Sequence, residues 1–133
     1  MIEGDPRPMT QTAAPKLLFR LIRAADWKAA AAAGEFTGSD TDRADGFIHL
    51  STAEQVAGTA GRWYPGLDDL MVLTVDRDAL KSPVKMEAST KGNLYPHLYG
   101  PLPLEAVMAA DAVPRDANGD YRFPDGLGVD GFI

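Results

Sequence analysis

Short apolar runs separated by polar segments rich in glycine and proline dominate this chain. The run 70–75 is apolar at almost every position and is bounded by aspartates, which predicts a strand buried on both faces in the middle of a sheet. The run 17–22 also has strand length, and its single charge, Arg20, lies on the face opposite Phe19. Residues 84–88 alternate between apolar and charged positions, so a strand carries Glu87 there. Further strands are predicted at 46–50, 106–113 and 121–123, the last two joined by a turn at Asn118-Gly119.

Two helices are predicted from capping residues. Asp26 precedes an alanine-rich stretch and can accept hydrogen bonds from the first free amides of that stretch. Gly34 can adopt the left-handed backbone conformation that ends a helix. Ser51 and Glu54 match a capping box, so a second helix should begin at 51 and end at Pro65-Gly66. Its apolar positions keep helical spacing: Ala53, Val56, Ala60, Trp63 and Tyr64.

The remaining segments are expected to be irregular. Residues 37–45 predict a loop, 76–82 a turn or short helix, and 89–105 a structured loop, because the last contains many helix and strand breakers. Residues 1–15 contain three prolines and no apolar period, which indicates a flexible leader. We therefore expect one domain over 16–133, with an irregular C-terminal tail.

Composition narrows the class of protein. The chain has 133 residues, 45% hydrophobic and 24% charged, which fits a single globular domain. The absence of cysteine excludes disulfides, thiolate nucleophiles and cysteine-ligated metal centres. The net charge of -6 disfavours a nucleic-acid partner. With no long apolar window and no basic, apolar amino terminus, we expect a cytoplasmic protein without a membrane partner.

The two histidines lie in segments of unusual composition, 45–52 and 95–101. On a strand, Phe47, His49 and Ser51 share one face, so His49 lies just before the predicted second helix, where free amides favour a pyrophosphate or carboxylate. The alternative is a strand histidine bonded to a backbone carbonyl. His97 lies in a stiff loop with Tyr99, suited to ligand binding or simply to anchoring that loop.

Four other motifs favour structural explanations. The glycine pattern Gly126–Gly131 leaves no room for the helix that a dinucleotide site needs. Ser51 beside His49 lacks the nucleophile-elbow motif. A metal site built from His49, His97 and either Glu87 or Asp45 lacks the usual short ligand spacing, so no metal is expected. Base stacking is conceivable for the helix-end group Arg62, Trp63 and Tyr64, but core packing is favoured for its aromatic rings.

Several segments together resemble the domain of unknown function 952 family. They are 18–22, Trp27, 45–55, Thr59-Ala60, Glu87 and 95–102, and the resemblance extends over about 17–113. It implies an α+β fold like that of the ADP-ribosyltransferases, with two small bent antiparallel sheets, flanking helices and a central cleft. Transferases of that fold bind NAD and break its nicotinamide-ribose bond through an oxocarbenium-like state.

The resemblance also implies roles for individual residues. Arg20 matches the first element of the transferase site, His49 and Ser51 the second, and Glu87 the third, whereas Lys85 stands where toxin-like members carry a Glu or Gln. We expect an ADP-ribosyltransferase-like enzyme acting on NAD or an ADP-ribosylated small molecule; the alternatives are a non-catalytic module that binds a nucleotide-like metabolite and a scaffold without a ligand. NAD would be a substrate, no firm cofactor is expected, and the oligomeric state stays open. The predicted catalytic residues are His49, Glu87 and His97, and the predicted substrate-binding residues are Arg20, Ser51, Thr52, Tyr99 and Gly100.

Overall fold

The computed structural model describes residues 14–89 and 92–124. The predicted leader up to residue 13 and the motif Gly126–Gly131 lie outside the described residues. The elements are β1 (Leu17–Arg23), α1 (Ala24–Ala33), β2 (Glu35–Phe36), α2 (Asp40–Asp45), β3 (Ile48–His49), α3 (Val56–Trp63), β4 (Leu70–Asp76), β5 (Val84–Ala88), β6 (Leu94–Leu98), β7 (Leu102–Pro103) and β8 (Val107–Ala112), with 3-10 turns at Arg77–Ala79 and Leu104–Ala106.

The strands form antiparallel sheets, so the chain is a mixed α+β protein. The inner sheet has the order β1-β4-β8 and the outer sheet the order β3-β6-β5. As predicted, β4 is a central strand. A two-stranded sheet of β2 and β7, which the sequence did not predict, completes the described part. Phe19 in β1 and Ser51, just after β3, exchange two backbone hydrogen bonds of 2.8 Å, which join the inner sheet to the outer one.

The inner sheet is buried on both faces, as the continuous apolar run in β4 predicts. Leu73 and Val75 contribute to one core, whereas Leu70 and Val72 contribute to a second core on the opposite face. The first core also contains side chains of the outer sheet, among them Ile48 and Leu98. Because side chains alternate along a strand, the neighbouring residues of β3 and β6 lie on the face of the outer sheet that is turned away from this core.

The middle strand of the outer sheet was missed by the sequence analysis, which predicted an irregular segment over 89–105. Proline is rare inside sheets because it cannot donate to the ladder. Here Pro96 faces Met86 in β5, and its carbonyl accepts a hydrogen bond of 3.0 Å from the Leu50 amide. The breakers lie at the strand ends, with Gly92 at a φ of +86° before β6 and Gly100-Pro101 after it.

Both predicted helix starts are wrong. Helix α1 begins at Ala24, and Asp26 lies in its first turn instead of capping it, although Gly34 ends the helix at a φ of +90° as predicted. Helix α3 begins at Val56, because the backbone of Ser51 pairs with β1 and the chain stays extended there. The predicted capping box of Ser51 and Glu54 is therefore not formed.

Three further predictions are corrected. Residues 37–45 are not all loop, since α2 begins after Ser39. Trp63 is 71% exposed and not part of a core, whereas Tyr64 packs against the second core. The predicted strand 121–123 reduces to one bridge between Arg115 and Tyr121, although the turn before it has Gly119 at a φ of +85° as expected. Among the described residues, every helix is too short or too polar to cross a membrane.

Candidate functional site

The two histidines meet on the outward face of the outer sheet. His49 in β3 and His97 in β6 are direct register partners in an antiparallel pair. Their ring centroids lie 5.6 Å apart in an edge-to-face arrangement. Both belong to the predicted catalytic residues although they are distant in sequence, and the structure brings the two rings together.

Phe47 contacts both imidazole rings and was not among the predicted site residues. Its ring stacks on His97 at a centroid distance of 3.9 Å and lies 4.7 Å from His49 and 5.3 Å from Tyr99. The signal was present in the sequence, because alternation places Phe47 on the same strand face as His49. We call Phe47, His49, Glu87, His97 and Tyr99 the imidazole cluster.

Glu87 in β5 is held by two other members of the cluster. Its Oε1 lies 2.8 Å from Nδ1 of His97 and accepts a hydrogen bond of 2.6 Å from the Tyr99 hydroxyl. The hydrogen bond from Tyr99 lowers the pKa of Glu87 below its ordinary value, and the contact with His97 lowers it further by a smaller amount. The same hydrogen bond raises the pKa of Tyr99, because ionised tyrosine could no longer donate to the carboxylate. The arrangement therefore favours an ionised Glu87 beside a neutral Tyr99.

The other ring is anchored by Asp42, a residue that the sequence analysis did not single out. Asp42 Oδ1 lies 2.6 Å from Nδ1 of His49 and also accepts its backbone N–H at 3.0 Å. The Asp42 side chain is buried, with 2% of its surface exposed. It pairs with Arg20, whose Nη1 lies 3.0 Å from each of the two carboxylate oxygens. Burial alone would raise the pKa of Asp42, but the contacts with His49, Arg20 and Ser39 outweigh burial and hold this pKa well below its ordinary value.

Helix α2 explains why Asp42 reaches this position. Ser39 accepts a hydrogen bond of 3.2 Å from the Asp42 amide, and the Asp42 carboxylate accepts one of 2.8 Å from the Ser39 amide, which is a capping box. The carboxylate thus caps its own helix and binds the following strand. Asp45, at the last residue of α2, lies 2.9 Å from Nε2 of His49. His49 is therefore flanked by two carboxylates.

Three predicted substrate-binding residues lie in the interior. Arg20 is 4% exposed, donates a hydrogen bond of 2.9 Å to the His49 carbonyl and lies over the Phe36 ring. The hydroxyl of Ser51 donates to Thr59, and the Thr52 amide donates to the Gln55 side chain. These contacts fix β3 and the start of α3. All three residues are buried, and their roles in substrate binding stay predictions.

Gly100 lies beside the cluster and lines a cavity of about 300 Å³. Phe47 and Asp42 also line this cavity, but neither histidine ring does. A second cavity of about 520 Å³ lies between α1 and α2, and no residue of the imidazole cluster lines it. Neither of these two cavities is therefore shared by both histidines, and the half-exposed His49 ring lies on a sheet face next to the smaller one.

The remaining chemical alternatives find little support in the described part of the chain. No group of three or more histidine and acidic side chains is placed to hold a metal ion among residues 14–89 and 92–124. Ser51 is 4% exposed and bonded to Thr59, so it is not presented as a nucleophile. Arg62 contacts the Tyr95 hydroxyl at 3.4 Å, which places this cation beside β6.

Residues 21–110 match the model of the family described as "Protein of unknown function (DUF952)". The chain belongs to this family. A crystal structure of protein CC0527 from Caulobacter crescentus is similar at 41% identity and a TM-score of 0.77, covering 84% of this chain and 98% of that one. The solution NMR structure of the same protein gives 42% identity and a TM-score of 0.71, covering 80% and 91%. No protein with a curated description matches.

The DUF952 segment contains the whole imidazole cluster and both flanking aspartates, Asp42 and Asp45. Arg20 lies one residue before it. The predicted family is thus confirmed.

Proposed function

We propose that this chain is an ADP-ribosyltransferase-like protein that binds NAD or an ADP-ribosylated small molecule at the imidazole cluster and cleaves the bond between nicotinamide and ribose. One observation carries this proposal. Glu87 presents a carboxylate that Tyr99 and His97 orient and keep ionised on the same sheet face as His49.

Glycosidic cleavage needs such a carboxylate. When the bond between the anomeric carbon and the nicotinamide nitrogen breaks, its electron pair leaves with nicotinamide and positive charge develops on the ribose. A preorganised carboxylate stabilises that charge in the transition state. Water or another acceptor then forms the new bond to the anomeric carbon and loses a proton. Glu87 is the catalytic residue of this scheme.

The other cluster residues bind and orient in this scheme. His49 is half-exposed and can donate a hydrogen bond to a ribose hydroxyl or a phosphate oxygen. His97, with 11% of its side chain exposed, orients Glu87 through the contact between its Nδ1 and the carboxylate. Arg20, Ser51 and Thr52 support the site from the interior. Gly100 contributes backbone to the wall of the adjoining cavity.

A non-catalytic binding module is the second candidate function. The cavity of about 300 Å³ beside the cluster is lined by Phe47 and Gly100 but not by Glu87. Its volume lies at the lower end of the range for small-molecule sites. A nucleotide-like metabolite that occupies this cavity and stacks on the cluster would contact His49 without bringing its anomeric carbon to Glu87.

Titration calorimetry with NAD, ADP-ribose and nicotinamide, followed by chromatography of released nicotinamide, tests the proposal. We expect NAD to bind and nicotinamide to be released, with Glu87→Gln lowering the release rate by about 100-fold or more. Glu105→Gln is the matched control, because Glu105 is exposed and pairs with Lys81. Binding without release would favour the binding module. Absence of heat with all three compounds would remove both candidate functions.

A further inference from the structure

Three nitrogen-bearing side chains form a row across the outer sheet. His49 in β3 pairs in register with His97 in β6, and His97 pairs in register with Lys85 in β5. Register partners project from the same face, and Lys85 Nζ lies 4.8 Å from the Tyr99 ring centroid, on the cluster side. Since neighbouring strands lie about 4.8 Å apart, the row is about 10 Å long.

The two aspartates that flank His49 differ in how firmly they are held. Asp42 is 2% exposed and bound to Arg20, Ser39 and the His49 backbone, so its contact with Nδ1 is a fixed part of the fold. The Asp45 side chain is 48% exposed at the C-terminal end of α2, where Gly46 ends the helix at a φ of +90°. Within residues 14–89 and 92–124 no buried group holds Asp45 at Nε2, and a rotation of its side chain releases that nitrogen.

We propose that His49 and Lys85, at the two ends of this row, recognise the phosphate groups of the ligand, and that the carboxylate of Asp45 occupies Nε2 of His49 until a phosphate oxygen displaces it. This inference rests on the proposed function for the identity of the ligand, but not for the chemistry of the row. At Nε2 of His49, a phosphate oxygen takes the place of the Asp45 carboxylate, so one anion is exchanged for another. A diphosphate also offers its second phosphate group to Lys85, which Asp45 does not contact in the structure, so the exchange favours the ligand.

This arrangement gives the neighbouring aspartates different roles. Asp42 orients the ring so that Nε2 points outward, and Asp45 competes with the ligand for that nitrogen. Removing the Asp45 charge should therefore strengthen anion binding. Asp40, in the same helix, is fully exposed and pairs only loosely with Arg43 at 3.7 Å. Its removal changes the net charge by the same amount without freeing a donor of the row, since Asp40 pairs with Arg43.

The experiment titrates inorganic pyrophosphate into the full chain at pH 7 by calorimetry, with the wild type, Asp45→Asn, Asp40→Asn and Lys85→Met. We expect Asp45→Asn to tighten binding about three- to tenfold, Asp40→Asn to change it less than about twofold, and Lys85→Met to weaken it about three- to tenfold. In a His49→Gln background, Asp45→Asn should bring no gain. The substituted positions are half-buried or exposed, and a thermal melt of each variant, above all of His49→Gln, checks that it folds.

Several results would overturn the proposal. An equal gain from Asp45→Asn and Asp40→Asn would mean that only net charge matters, and a gain that persists with His49→Gln would place the freed donor elsewhere. Absence of pyrophosphate binding in both the wild type and Asp45→Asn would exclude the row as a phosphate site. If pyrophosphate follows the expected pattern but NAD and ADP-ribose do not bind, the phosphate row stands and the proposed function fails.

Discussion

Asp42 and His49 form a contact of 2.6 Å in which the carboxylate is buried and the imidazole is half open to solvent. The contact links an interior charge pair to the outward face of the sheet, because Arg20 holds the other side of the same carboxylate. A buried ion pair is costly to break, since the remaining charge is left without a partner. The placement of His49 therefore depends on a charge that the chain must keep buried.

Replacing Asp42 should destabilise the protein strongly. In Asp42→Asn, Arg20 stays buried without its counter-charge, so we expect the free energy of unfolding to fall by about 3–5 kcal/mol. Asp40→Asn, in the same helix but fully exposed, should change it by less than about 0.5 kcal/mol. Urea unfolding measures both. The double variant Arg20→Met with Asp42→Asn should recover part of the lost stability. Equal losses in Asp42→Asn and Asp40→Asn would contradict the importance of the buried pair.

Stability should depend on pH through Asp42. The pKa of this carboxyl is lower in the folded chain than in the unfolded one, so the folded state binds its proton less readily. Its contribution is complete above the ordinary aspartate pKa of about 4 and is lost as the pH falls below it, by up to about 1.4 kcal/mol per pH unit. Urea unfolding between pH 6 and 2.5 should show the wild type approaching Asp42→Asn below about pH 4. Parallel curves for the two proteins would contradict this dependence.

The Phe47 ring should stabilise the imidazole cluster. Phe47→Leu keeps an apolar side chain but removes the stack on His97, which should cost about 1 kcal/mol. It should also shift the His97 ring protons in an NMR spectrum, because the ring current of Phe47 is lost. Trp63→Leu is the matched control, since Trp63 is 71% exposed and its loss should change stability by less than about 0.5 kcal/mol. An unchanged melting temperature in Phe47→Leu would show that the stack adds nothing to stability.

Gly100 is required by a close approach and not by its backbone conformation. A Cβ at this position would overlap the side chain of Ser82. Gly100→Ala should therefore destabilise the fold by about 1–3 kcal/mol, and adding Ser82→Gly should restore most of that loss. Gly61→Ala in α3 meets nothing within 4 Å and should instead stabilise the helix by about 0.5–1 kcal/mol. Thermal melts of the wild type, Gly100→Ala, the double variant with Ser82→Gly, and Gly61→Ala test this prediction. If Ser82→Gly does not restore the stability of Gly100→Ala, the overlap with Ser82 is not the cause of the loss.

Local patterns in the sequence predicted much of the candidate site. Alternation along a strand placed Phe47 and His49 on one face, and it put Glu87 on the solvent side of a strand that the structure confirms at Val84–Ala88. These predictions succeeded because a strand period of two depends only on neighbouring residues. The catalytic and binding roles assigned to the site residues stay predictions.

Other features could not be read from local patterns. Pro96 argued against a strand, yet β6 is central because the proline carbonyl still accepts from Leu50. Asp42 lay in a segment of polar residues that predicted a loop, and its helix has six residues. Such a short helix is marginal by itself and needs contacts from elsewhere in the chain. Those contacts come from Arg20 and His49, which are distant in sequence.

The order of apolar and polar residues by itself predicted strands β1, β4, β5 and β8 and the burial of β4 on both faces, whereas the family was predicted from the resemblance of particular sequence segments. Tertiary structure alone decided which side chains touch: that His49 faces His97, that Glu87 meets both His97 and Tyr99, and that Arg20 is buried as the partner of Asp42. The physical reason is that alternation fixes the side of a strand on which a residue lies. The register between strands, set by packing and by turns far along the chain, fixes its partner.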